Sequence, residues 1–200
     1  MKEEFYTEKR WLNWMNKVKD SNFKLTEEDD NNNSGAVFIY IMDDVVLACL
    51  KVIARCEHTV IAPDAAIAEI MTIRSIVFAE NESMGEDADL MLESLKTSLA
   101  AVFVSSQRYI IGIFDRESPL KEMVAKAIAA EQKEDLDEAF DLLSQVGARV
   151  IGGESLPEIG DIPYCMTAEL MDGIDAISAA MLGDDSYKED DGSVDTGGAD

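Results

Sequence analysis

Side-chain chemistry has little to work with in this sequence. Among 200 residues there is one histidine, His58, with three cysteines and four prolines. A di-iron carboxylate bundle needs two Glu-x-x-His motifs, and the chain contains none. A Ser-His-Asp or Cys-His site would have to use His58. Cys56 is two residues away from it and on a different helical face, so the two do not pair on a regular helix. Cys49, Cys56 and Cys165 make no C-x-x-C and no zinc spacing. They read as reduced thiols of a cytosolic, hence cytoplasmic, protein. The first residues, "MKEEFYTEKRW", are charged from the start and show no signal peptide.

Positive charge is scarce too. Seventeen Lys and Arg face forty-one Asp and Glu, a formal net charge of -24. Phosphate backbones and anionic membrane surfaces both demand clustered cations, so neither nucleic acid nor membrane is an expected partner. A basic protein remains an admissible partner. A long apolar run is also missing. The nearest approach is "VFIYIMDDVVLACLKVIARC", residues 37–56. A spanning helix needs about 20 apolar residues, and Asp43, Asp44, Lys51 and Arg55 would each cost about 2.5–3.5 kcal/mol near a bilayer centre. Gly152-Gly153 and Gly197-Gly198 follow no strand pattern and form no phosphate loop. The acidic "DDSYKEDDGS" lacks the alternation and closing Glu of a calcium loop. No catalytic set, cofactor or metal site is expected, and no repeat has a fixed period.

What is abundant is helix. Apolar residues recur at steps of three and four along most of the chain. Helix one is predicted from Glu8 to about Lys19, with Thr7 as N-cap and Trp11, Leu12, Trp14, Met15 and Val18 on its apolar side. It is the one basic segment: residues 1–24 carry six basic and four acidic groups. Residues 26–35, "TEEDDNNNSG", read as a polar linker. Helix two follows to about Glu57, with Phe38, Met42, Val45, Cys49, Val52 and Cys56 on one stripe. Asp43 lies in the otherwise apolar row Ile39, Val46, Leu50, Ile53 and is expected to be partly buried; Asp44 is expected in solvent. Helix three begins near Pro63. Helix four, about Asp87 to Phe114, is apolar nearly all round in its second half and should be central. Arg108 interrupts that half, which motivates an Asp43–Arg108 structural buried charge pair.

Helix five starts at Ser118-Pro119. The charged "EQKEDLDE" either continues it or restarts at Asp135, with Leu136, Phe140, Leu143 and Val146 carrying the pattern to about Val150. A last helix spans about Tyr164 to Leu182. The expectation is an all-α bundle of six or seven helices in one domain, residues 1–182, with a disordered acidic tail over 183–200.

Three segments carry a resemblance. "EFYTEKRWLNWMNKV", "IMDDVVLACLKVIA" and "LMLESLKTSLAAVFVSSQRYIIGIFD" resemble the archaeal family called domain of unknown function 2150, over about Phe5 to Leu182. The resemblance implies an archaeal cytoplasmic protein, which suits the acidity, and implies no catalytic or binding residues.

The functional expectation is a non-enzymatic protein that binds another macromolecule, through the acidic tail or through Trp11, Trp14, Arg10 and Lys17 of helix one, since Trp and Arg favour binding hot spots. The alternative is a carboxylate-based metal-binding or enzymatic bundle built on Asp43, Glu57 and His58. A homo-oligomer formed by surplus apolar helix faces is the third reading.

Overall fold

A computed structural model describes residues 4–25, 33–158, 160 and 165–183. Seven α-helices account for about three-quarters of them, and no strand occurs among the described residues. They are α1 (Glu8–Ser21), α2 (Ala36–Glu57), α3 (Pro63–Val77), α4 (Glu86–Ile111), α5 (Leu120–Glu131), α6 (Leu136–Ile151) and α7 (Met166–Leu182). The all-α bundle is therefore as the periodicity implies. Most of the expected linker and the acidic segment beyond Gly183 lie outside the described residues.

Local chemistry sets the helix ends. The Thr7 hydroxyl accepts from the Arg10 amide at 3.1 Å and caps α1. Pro63 occupies the first turn of α3, where its missing N–H costs nothing. α4 stops at Ile111, three residues short of expectation, because Gly112 turns into the left-handed region (φ 78°). Its N–H returns to the Arg108 carbonyl at 2.8 Å. Ile113, counted from sequence as part of the buried stripe, is 68% exposed. α5 and α6 are separate helices: Glu134 takes a positive φ of 63°, and the Asp135 carboxylate receives the Glu138 amide at 3.1 Å.

α4 is the central element, packed against α2, α3, α6 and α7, while α5 leans on α6. Leu99, Phe103, Ile41, Ile70, Ile73, Leu143, Ile174 and Ile177 are fully buried around it. Two contacts bring the backbones unusually close. A methyl group at Gly173 of α7 would stand 2.1 Å from the Ser98 carbonyl oxygen of α4. At Gly147 of α6 it would stand 2.1 Å from the Ser105 hydroxyl. Ser98 and Ser105 are seven residues apart and both buried, so they share one face of α4. Small residues on both partners let the axes approach, and interior packing leaves no slack for an added carbon.

Overpacking of this kind typically costs about 1–3 kcal/mol. Gly173→Ala is expected to lower the urea midpoint by a loss in that range. It should cost more than Gly147→Ala, because Ser98 opposes it with backbone while Ser105 opposes Gly147 with a side chain that can rotate in part. Equal midpoints for both variants and the wild type would contradict the close crossings.

Candidate functional site

Asp43 and Asp44 are neighbours on α2, but about 100° of helical rotation sends them to different places. Asp44 is the enclosed one, with its side chain 14% exposed. It accepts from Arg10 Nε at 2.9 Å, from Arg10 Nη2, and from the Trp14 indole N–H at 2.7 Å. The Lys17 ammonium sits 4.2 Å above the Trp14 ring. Trp11 is buried and donates its indole N–H to Asn81 Oδ1 at 3.1 Å. Tyr6 is buried nearby; desolvation first, and the Asp44 charge second, push its pKa upward, so it stays a neutral phenol. Its hydroxyl has no partner at hydrogen-bond geometry.

The residues read from sequence as a partner-binding face, Trp11, Trp14, Arg10 and Lys17, do come together. Trp11, Trp14 and Arg10 are engaged within the chain, holding α1 against α2 and the end of α3. Asp44, expected in solvent, is the acceptor that holds Arg10 and Trp14, while Asn81 holds Trp11.

The expected Asp43–Arg108 pair does not form. Arg108 is bonded to Asp141 of α6. Asp43 is exposed and flanks the part of α4 that ends at Ser98, and ten further residues put Arg108 about 15 Å along the helix. The buried cation is instead Arg149. It bonds both oxygens of Glu154 at 2.7 Å, and also the Ser118 carbonyl. A sequence signal existed: Arg149 sits among Val146, Val150 and Ile151, as misplaced in pattern as Arg108. The proposed set of Asp43, Glu57 and His58 also fails to assemble. Asp43 and Glu57 stand about 21 Å apart along the axis of α2, and Glu57 receives the Tyr109 hydroxyl at 2.5 Å. Among the described residues no cluster of His, Cys, Asp and Glu is placed to hold a metal ion, and no helix is long and apolar enough to cross a membrane.

What Asp43 does border is a cleft of about 360 Å³ between α2, α4 and α7. Its floor is apolar: Phe38 and Met42 from α2, Met91 and Leu95 from α4. Ala176 and Ala179 of α7 form a low wall, and Ile39, 62% exposed, lies at the lip. Three carboxylates stand on its rims, Asp43 on α2 and Asp172 and Asp175 on α7. No Lys or Arg among the described residues pairs with any of them. Desolvation pushes the Asp43 carboxyl above its ordinary range. Desolvation, then the charges of Asp175 and Glu169, does the same to Asp172. Sequence reading missed the cleft. The signal was faint: Asp172 and Asp175 break the α7 stripe of Leu170, Ile174 and Ile177 at a spacing of three, which places them together on one edge.

Two outcomes test this geometry. Asp44→Asn removes the charge that Arg10 and Trp14 share, worth roughly 1–3 kcal/mol for charge-assisted bonds. Both tryptophans are on α1, so their fluorescence should shift to the red and be more readily quenched; an unchanged spectrum would contradict the docking. At Asp172 the sign is opposite. A carboxyl whose folded-state pKa is raised stabilises the protonated fold, and that contribution is lost as pH rises through the raised value. Asp172→Asn should therefore be slightly more stable than wild type at pH 7. The gap should close below the ordinary carboxylate pKa of about 3.9. Thermal unfolding at several pH values measures it, and a destabilised variant at pH 7 would show that Asp172 has a cationic partner.

Comparison with curated proteins and with solved structures finds no match. A family model does match, over residues 4–190, running past Leu182 into the acidic segment. The chain thus belongs to the family described as an uncharacterised protein conserved in archaea, DUF2150.

Proposed function

We propose that the chain is a non-enzymatic interaction module that docks a basic segment of another protein on the face formed by α2, α4 and α7. The observation that carries this reading is the apolar-floored cleft rimmed by Asp43, Asp172 and Asp175, with no Lys or Arg among the described residues paired to them. Apolar floor and charged rim are the two parts of a protein-binding surface: the floor supplies affinity and the rim supplies selectivity and approach rate. The raised pKa values of Asp43 and Asp172 mean that the free protein holds charge there at a cost, which a cationic partner would relieve. The net charge of -24 draws basic proteins from a distance. A second copy carries the same charge and is repelled on average.

Native-cell extract passed over the immobilised full chain tests the reading. Basic proteins captured by wild type should be lost on combined Asp43→Lys, Asp172→Lys and Asp175→Lys replacement. They should be kept when Asp64, Glu122 and Asp137, away from the cleft, are reversed instead. Equal loss in both triple variants would mean that general acidity alone attracts the proteins, and would contradict a docking site at the cleft.

A further inference from the structure

The α2–α4–α7 cleft has a shape as well as a charge, and the shape narrows what can enter. It is lined by two turns of α4, from Met91 to Ser98, and two turns of α7, from Asp172 to Ala179, each about 10 Å long. The floor at Met42, Met91 and Leu95 is unbranched or γ-branched and adaptable, as methionine-lined binding surfaces are. The α7 wall is low because Ala176 and Ala179 carry only methyl groups, so a second helix backbone could approach closely there. The rims are split, with one carboxylate on α2 and two on α7.

Resting on the reading above, we infer that the docked segment is a basic amphipathic helix. It seats one large apolar side chain over Met42, Met91 and Leu95 and presents Lys or Arg on either side of it, toward Asp43 and toward Asp172 and Asp175. Other modes of peptide recognition lack their parts. Strand addition needs a sheet edge, and the described residues contain no strand. Proline-rich segments need a groove of exposed aromatics, and among the described residues lining the cleft the one aromatic, Phe38, is buried. Helix in groove remains, with anchors at spacings of three and four.

The chain itself contains a helix of this type in a neighbouring place. α1 is basic and amphipathic, and it reaches α2 through Arg10 and the Trp14 indole on Asp44. Asp43, one residue earlier, borders the cleft with the same chemistry, and no Lys or Arg among the described residues pairs with it. The same helix α2 therefore offers one occupied and one open aspartate to the same class of ligand.

Labelled helical peptides of about 14 residues, four turns of helix, test the inference with the full chain by fluorescence anisotropy. One has a central Leu flanked by Lys at positions four before and four after, which fall on opposite sides of it. A second has Ala in place of that Leu with identical charges. The Leu peptide should bind about tenfold or more tighter, the scale of one buried leucine side chain. Asp43→Asn and Asp172→Asn should each weaken it and flatten its salt dependence. Met91→Ala should remove the preference for Leu while leaving the salt dependence. Equal binding of the two peptides would overturn the seated anchor but leave a basic partner standing. Absence of binding by either at low salt would overturn both. Displacement by spermine at equal charge concentration would identify a small polyamine site and overturn a helical ligand. Concentration-dependent dimerisation that blocks the peptide would assign the cleft to a second copy, with the same consequence.

Discussion

The structure depends on how closely α7 and α6 can approach α4. At Gly173 and Gly147 there is no room for a side chain, and the facing positions are Ser98 and Ser105. Dispersion rewards short separations and interior packing tolerates few voids, so these contacts fix where the outer helices sit. The consequence for the surface is direct. Asp172 adjoins Gly173 and Asp175 lies one turn beyond Asp172, so this close crossing sets the acidic rim beside Met91 and Leu95 of α4. The candidate site is thus positioned by core packing and not by a loop, which is the more exact way to hold a surface.

Charge divides the same molecule into satisfied and unsatisfied parts. Arg149 is buried and bonded to Glu154 and the Ser118 carbonyl, so a costly desolvation is matched by several acceptors. Asp44 is enclosed and shared between Arg10 and Trp14. Asp43 and Asp172 have no such partner among the described residues, and desolvation makes their carboxyls harder to ionise. This contrast between enclosed charges that are paired and rim carboxylates beside an apolar cleft is what the proposed cationic partner would complete. The basic α1 does not serve, because it is already docked on Asp44.

Much of the fold could be read from periodicity. Phe38, Val45, Cys49 and Val52 are buried as spacing implies, Thr7 caps α1, and Pro63 opens α3. The failures share a cause. Periodicity says which face of a helix is apolar, but not whether a neighbour covers it along its whole length. Val46, Leu50 and Ile53 are buried while Ile39 and Asp43, on the same row, are exposed, because the first turns of α2 border the cleft. Ile113 continued the α4 pattern, yet Gly112 had already ended the helix. The cleft itself joins three helices from distant parts of the chain, and no single window of sequence contains it. Asp44 is enclosed and Asp43 exposed, the reverse of what their rows imply, because their difference is one of tertiary neighbours, which intrinsic pattern does not encode.

Native-state hydrogen exchange addresses the dependence on the α4 crossings most directly. Amides from Ser98 to Ser106 should exchange only through global unfolding and be the slowest in the chain, while α1 opens at lower free energy because it is held chiefly by one face. Exchange of the 98–106 amides through a local opening, faster than those of α1, would contradict the central role given to that contact.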